Sequence, residues 1–494
     1  ETNTPWMSAS SLRFSAGKPV CMIHEKTAKK LSLHVGNRVL IKKGKKKIIS
    51  VADVVTGLLR QKELAVSDEV AKFLNLKNGS RVEVVLTAKP HSIDLIKKKL
   101  HGKSLSKSEI NEIIKDISNN ALTEAEVAFF ISAVYSRDMS LKETSALIKA
   151  MVNSGSRIYL RGKIVDKHCI GGVAGNRTTP IIISICSALG LIMPKTSSRA
   201  ITSAAGTADV IETLARVDFS IKKIKKILKK TNACFVWGGA LGLAPVDDKI
   251  IQIGRVVKID STAQLLASIL SKKISVDSKY ILIDIPYGRS AKVSYKKAKV
   301  LKEKFLAISK EFDLKLDVVL TNGSEPIGRG VGPNLEMIDI LKILKRRGGP
   351  RDLEEKCLKL SAVLLEMTKK AKKGEGFLLA KKTLDSGLAY KKFKQIIKAQ
   401  KGRIKKLSPG KFSYVVYSKK KVKIKHLNNK LINGLARVLG SPEDKGSGVY
   451  LHKKKGDVAV KGEKIMTLYS VSLDKLRYAR KFFKENKSEM IEFY

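Results

Sequence analysis

The segment Lys163–Gly190, "KIVDKHCIGGVAGNRTTPIIISICSALG", decides the fold class. Its opening, "KIVDKHC", is a β-branched strand that runs into glycines, and its close, "TTPIIISICSALG", is a helix apolar on every side and therefore buried. Strand, glycine loop and helix in that order are how α/β folds present backbone N–H groups to an anion. Gly171, Gly172 and Gly175 allow close backbone approach, Lys167 and Arg177 supply charge, and Thr178 and Thr179 begin the helix. This is an anion cradle in outline, without the GxxxxGK[ST] spacing of a P-loop. The next segment, "KTSSRAITSAAGTAD" (Lys195–Asp209), packs six hydroxyl side chains among small residues. Donors stand at Ser197, Ser198, Thr202, Ser203 and Thr207, and Arg199 can grip a phosphate with two parallel bonds. For either segment alone, the competing reading is a polar loop with helix caps.

Working outward, "DSKYILIDIPYG" and "KLDVVLTNGSEPIG" are further apolar strands ending in polar, glycine-bearing loops, and function is expected at those carboxyl ends. "KIDSTAQLLASILSKK" has the spacing of a helix that starts after Asp260-Ser261, an N-cap pair, with Ser268 and Lys272 four apart on one face. From Ser92 to about Ser154 the period is helical, with starts in "SLSKSE" and "NNALTEAE". Nearer the N-terminus, "AKKLSLHVGNRVLI" (Ala28–Ile41) and "AKFLNLKNGSRVEVV" (Ala71–Val85) repeat one pattern of short helix, glycine turn and strand, which predicts a small pseudo-symmetric β-barrel closing near Lys89-Pro90. From about Gly410, basic strand-like stretches alternate with turns, an α+β domain.

Composition narrows the function classes. The 494 residues are 43% hydrophobic, enough for several cores, and the longest apolar run, Pro180–Pro194, is too short to span a bilayer. No secretory leader pattern opens the chain, so the cytoplasm is the expected compartment. Five scattered cysteines with no CxxC pair and no histidine at ligand spacing predict neither disulfides nor structural zinc. Lys+Arg of 97 against Asp+Glu of 45 gives a formal +52, which favours polyanions; yet the lysines are spread over runs such as "IKKIKKILKK" with few aromatics to stack on bases. Solvated faces account for them better than a nucleic-acid surface.

"DKHCIGG", "PKTSSRAITSAAGTAD", "DSTAQLLASILSKK" and "EPIGRGVGPNLEM", in this order, resemble the thymidine phosphorylase family, and within it the archaeal AMP phosphorylase branch. The resemblance covers Ser92 to the C-terminus, and the extra N-terminal domain also belongs to that branch; thymidine phosphorylases are similar to "SGRGLGHTGGT" where this chain has "SSRAITSAAGT". It implies an α/β plus α architecture. An N-terminal β-barrel-like domain (1–89) precedes a small helical domain (90–158, completed by about 245–276), which faces a larger α/β domain (159–405) across a cleft; an α+β domain follows (406–494). It further implies phosphorolysis of AMP by inorganic phosphate to adenine and ribose 1,5-bisphosphate, with no metal or redox cofactor, in a homo-oligomer.

Carried over by resemblance, Asp260 is the proton donor to the leaving base. Gly172, Ser198, Arg199, Ala200, Ile201, Thr202, Ser203, Thr207, Ser268 and Lys292 bind AMP; Lys167, Ser197 and Thr207, with Thr179, bind phosphate; His168 and Lys272 support. Cys169 stands where the family usually has serine, and a thiol is the weaker donor. The competing functions are a pyrimidine-nucleoside phosphorylase of the same fold and an inactive relative that binds RNA through its basic surface.

Overall fold

The computed structural model describes residues 6–11, 14–200, 203–257, 259 and 261–494. Its contacts separate two units, one comprising the chain to Gly155 with Ala244–Ser268 and the other Ser156–Leu243 with Ile269–Tyr494.

In the first unit the repeat found in the sequence becomes a closed barrel. Its strands are Trp6–Ser11, Val20–His24, Arg38–Lys43, Lys46–Val55, Glu63–Val66 and Ser80–Leu86. Each copy contributes its short helix (Glu25–Lys30, Asp68–Leu74) and then a strand, and the two copies' strands pair antiparallel, Leu40 opposite Val85. Alternate residues Val39, Ile41, Val82 and Val84 point inward and are buried.

The helical part of this unit contains Ser92–Leu100, Lys107–Ser118, Glu124–Arg137, Leu141–Asn153 and Pro245–Val257. Three helices begin in reciprocal capping boxes, Ser106 with Glu109, Thr123 with Glu126 and Ser140 with Glu143. Glu126 also pairs with Arg38 of the barrel, and buried Glu143 accepts from Lys99 Nζ at 2.9 Å and from Leu105 N at 2.9 Å.

The second unit is built on parallel strands: β1 (Val165–Cys169), β2 (Met193–Ser197), β3 (Ala233–Trp237), β4 (Tyr280–Tyr287) and β5 (Lys315–Asn322). They run β5-β4-β1 and β2-β3, joined at a parallel bridge between Ile164 and Ile192. Helices α1 (Thr179–Ala188), α2 (Thr207–Ile211), α3 (Thr262–Ser275), of which the part from Ile269 on belongs here, and α4 (Arg351–Met367) connect or cover them. As its composition requires, α1 is buried along its length, from Thr179 to Ser187.

The C-terminal α+β part packs α5 (Asn429–Val438) and the helix Leu473–Met490 on antiparallel strands. It is not a separate contact unit. Gly330–Val331, inside the "EPIGRGVGPNLEM" motif, pairs with Gly448–Leu451 and so contributes a strand to the C-terminal sheet, a link no local pattern announces.

Candidate active site

Side chains alternate along a strand, so β1 sends Asp166 and His168 to one face and Lys167 and Cys169 to the other. Charged residues in a buried strand must be paired, because each bare ion would cost several kcal/mol (about 3–5 for breaking one pair). On the first face Asp166 accepts from Lys195 Nζ at 2.9 Å and lies 2.7 Å from Lys273 Nζ. On the second, Asp284 of β4 lies 3.0 Å from Lys356 Nζ of α4 and 3.7 Å from Lys167 Nζ, and accepts from Thr321 Oγ1 at 2.6 Å. Lys167 donates to Thr178 Oγ1 at 2.7 Å, and Lys195 donates to Lys167 O at 2.6 Å, joining the halves. All six charged side chains are at most 9% exposed. Four lysines against two aspartates leave the cluster formally at +2 beneath the glycine loop.

Electrostatics follow from that excess. Burial would raise the carboxyls of Asp166 and Asp284, but Lys195 with Lys273, and Lys356 with Lys167, hold both below the usual range. Burial, reinforced by Lys273, pushes the Lys195 ammonium down to about 7 against the pull of Asp166. Burial first, and then the neighbouring charges of Lys273, Lys195, Lys167 and Lys272, drive His168 well below its ordinary value, so that it is neutral near pH 7. Burial, then Asp284, raises the Cys169 thiol; its Sγ accepts from Gly171 N at 3.5 Å and Asn176 Nδ2 at 3.4 Å. A thiol so held is a poor nucleophile.

The glycine loop is shaped by contacts that exclude side chains. Gly172 has φ of 89°, and a Cβ there would meet Lys292 Cβ at 2.7 Å and Lys292 N at 2.8 Å, so two residues predicted to bind AMP are neighbours. Arg177 ties this loop to the hydroxyl-rich one. Its Nε donates to Glu336 Oε2 at 2.7 Å, its Nη1 to Thr207 Oγ1 at 3.1 Å and its Nη2 to Ala205 O.

In the hydroxyl-rich loop Ser197 ends β2 with Oγ toward Val236 O, Ser198 is exposed, Ser203 Oγ donates to Ala205 O at 2.6 Å, and Thr207 opens α2. Asp209 Oδ2 closes the loop's base by accepting from Ala200 N at 2.8 Å and Gly206 N at 2.7 Å. The guanidinium of Arg199 is already gripped by Glu212 through two bonds of 2.6 Å, reaches Asp209 at 3.3 Å and lies over Trp237. Here it braces the loop; the bidentate fork read from sequence is occupied by a carboxylate.

The second unit thus brings together Lys167, His168, Gly172, Ser197–Ala200, Ser203, Thr207, Lys292 and, through its field on His168, Lys272. Thr179 is buried at the start of α1. Ser268 lies in the other unit, donating to Asp247 Oδ2 at 2.8 Å, and Ser261 caps α3 by accepting from Gln264 N at 3.1 Å. Asp260, Ile201 and Thr202 lie outside the described residues. Among the described residues no group of acidic, histidine or cysteine side chains has metal-site geometry, and no helix is long and apolar enough to cross a membrane. The run "IKKIKKILKK" buries Ile224, Ile227 and Leu228 and exposes Lys222, Lys225, Lys226, Lys229 and Lys230, the solvated face expected of it.

Sequence reasoning missed Asp166, Lys195, Lys273, Asp284 and Lys356. The available signal was a charge inside an otherwise apolar strand, as in "YILIDIPY".

Family descriptions match three nearly consecutive stretches: "Glycosyl transferase family, helical bundle domain" over 93–155, "Glycosyl transferase family, a/b domain" over 161–390, and "Pyrimidine nucleoside phosphorylase C-terminal domain" over 414–488. The AMP phosphorylase of Thermococcus kodakarensis is 40% identical over 92% of each chain, and AMP phosphorylase 1 of Archaeoglobus fulgidus 38% over 92% of each. The chain belongs to the thymidine and AMP phosphorylase family. Another relative in this phosphorylase family, a Legionella pneumophila (strain Paris) protein provisionally described as a thymidine phosphorylase, is 39% identical over 90% of this chain and 87% of its own. Anthranilate phosphoribosyltransferase from Thermus thermophilus superimposes with a TM-score of 0.53 at 16% identity, covering 63% of this chain and 100% of that one, a likeness of fold alone.

Proposed function

We propose that this chain is a pentosyltransferase that cleaves AMP with inorganic phosphate, releasing adenine and ribose 1,5-bisphosphate, with CMP and UMP the next substrates to test. The observation that carries the reading is the likeness over 92% of each chain to proteins named AMP phosphorylase. Supporting it is the buried cluster of formal charge +2, which suits a dianion such as hydrogenphosphate.

In this reading a phosphate oxygen attacks C1′ of the ribose, the C1′–N bond breaks, and its electron pair goes to the purine. Asp260 protonates the ring nitrogen and adenine leaves, which requires that Asp260 carry a proton when the substrates are bound. Lys167, Ser197, Thr207 and Thr179 hold phosphate. Gly172, Ser198, Arg199, Ala200, Ile201, Thr202, Ser203, Thr207, Ser268 and Lys292 surround the nucleotide, Arg199 by bracing the loop. Neutral His168 orients the ribose or base, with Lys272 beside it. No cofactor takes part, and assembly as a homo-oligomer in the cytoplasm goes with the reading. The Legionella likeness favours, as second reading, phosphorolysis of an unphosphorylated pyrimidine nucleoside.

Chromatography and phosphorus NMR after incubation with phosphate and AMP, CMP, UMP, adenosine or thymidine decide between the two. Adenine and ribose 1,5-bisphosphate from AMP, with nothing from free nucleosides, are expected. Base released only from nucleosides establishes the second reading, and turnover by Asp260→Asn near the wild-type rate removes Asp260 from the proton-donor role.

A further inference from the structure

Helix α5 carries Asn429, Asn433 and Arg437 at intervals of four residues, hence on one face. That face meets both loops of the candidate site. Asn429 Oδ1 accepts from Ala174 N of the glycine loop at 2.9 Å, while its Nδ2 donates to Gly323 O at 2.9 Å and to Ser290 Oγ at 3.0 Å. One turn on, Asn433 Oδ1 accepts from Ala204 N of the hydroxyl-rich loop at 2.9 Å, and a further turn on, Arg437 donates to Ser203 O through Nη2 at 3.0 Å and Nε at 3.3 Å. Asn429 and Asn433 are buried, as are Ala174 and Ala204, so water cannot replace either bond.

We infer that α5 is a positioning strut, in which Asn429 and Asn433, about 6 Å apart along the helix axis at 1.5 Å per residue, fix the separation of the two substrate loops. The inference rests on the phosphorolysis reading. Its logic is geometric: the base of the hydroxyl-rich loop is closed by Asp209, whereas its tip, Ser203 and Ala204, is held by α5. Without the strut the tip moves independently of Ser197 and Thr207 at the base. Nucleotide binding is therefore the property Asn433 governs, and phosphate binding is largely spared.

The test compares wild type, Asn433→Ala and Asn433→Asp, varying AMP and phosphate separately, with thermal unfolding and hydrogen exchange of the peptides containing 203–206 and 195–197. Asn433→Ala is expected to raise KM for AMP about tenfold, the effect of an orphaned buried donor, with KM for phosphate changed less than about twofold and faster exchange confined to 203–206. Asn433→Asp keeps the acceptor oxygen and is expected to recover KM for AMP to within about threefold of wild type. Equal rises in both KM values, a loss of kcat alone, or an Asp variant as impaired as Ala overturns the strut. Should Asn433→Ala fail to fold, Arg437→Ala, cut from an exposed side chain, is expected to raise KM for AMP about threefold, and an unchanged KM refutes the inference. A wild type inert toward AMP removes the AMP reading instead, and exchange at 203–206 in Asn433→Ala then decides the strut by itself.

Discussion

Gly172→Ala is the sharpest probe of the glycine loop. Two costs add at this position. A φ of 89° places an alanine in the left-handed region, worth about 1–2 kcal/mol against it. The new methyl would also sit 2.7 Å from Lys292 Cβ and 2.8 Å from Lys292 N, where ordinary contact begins at 3.4 Å. Backbone cannot swing aside as a side-chain tip does, so the loop and Lys292 must part by about 0.7 Å. A displacement near 1 Å between groups that hold one substrate costs on the order of a hundredfold in rate, so kcat/KM for AMP is expected to fall about 30- to 100-fold. The control is Gly348→Ala in the same unit, where φ is 67° but nothing lies within 4 Å of a Cβ. It should lose about 1–2 kcal/mol of stability and keep its activity. Steady-state kinetics and urea unfolding on the two variants separate strain from displacement. If Gly172→Ala retains kcat/KM within twofold of wild type, or loses no more than Gly348→Ala, the tight approach of Gly172 to Lys292 does not shape the site.

Three other outcomes are expected. Cys169→Ser offers a stronger donor in place of the raised thiol and should lower KM for phosphate a few-fold in phosphate-dependent kinetics; an unchanged KM confines Cys169 to accepting from Gly171 N and Asn176. Lys195→Met should flatten the pH dependence of phosphate binding. In the wild type Lys195 loses its positive charge as pH rises through about 7, so KM expressed per phosphate dianion climbs between pH 6.5 and 8.5, and a slope that persists in the variant would assign the titration elsewhere. Glu143→Gln strands the buried ammonium of Lys99 and should cost about 3–5 kcal/mol in urea unfolding at pH 7. Leu105 N, Ser140 N and Lys99 overcome the effect of burial and lower the Glu143 carboxyl below 4.5, so its contribution is present above that value and fades as pH falls through the depressed one; the gap between variant and wild type should shrink at pH 3.

What was legible in the sequence was local. The twice-repeated Ala-Lys, glycine and Arg-Val pattern announced the barrel because each copy is a complete helix, turn and strand whose periods are visible within fifteen residues. The capping boxes at Ser106 and Thr123 and the apolar α1 were readable for the same reason. What escaped was paired at a distance. Asp166 meets Lys273, Asp284 meets Lys356, and Ala174 meets Asn429, and no periodicity links such partners. Arg199 shows the opposite failure. Its residue type suits phosphate, but type alone could not reveal that Glu212, thirteen residues on, fills its fork.

The formal charge of +52 and the positive candidate site invite a single explanation, yet the two are physically separate. The site's excess comes from four lysines at most 9% exposed, each in contact with an aspartate, so their field acts in a low dielectric and is barely screened by salt. The lysines of Ile221–Thr231 stand in solvent, where a screening length of about 8 Å at physiological salt limits their reach to the approach of an anion. They add to the rate of encounter and nothing to the geometry of attack. A formally positive cluster is costly to bury; loss of the Lys195 proton near pH 7 relieves part of that cost, and an arriving anion relieves it without discharging a lysine. Four buried lysines over two aspartates are therefore better explained by the ligand the site awaits than by the stability of the fold.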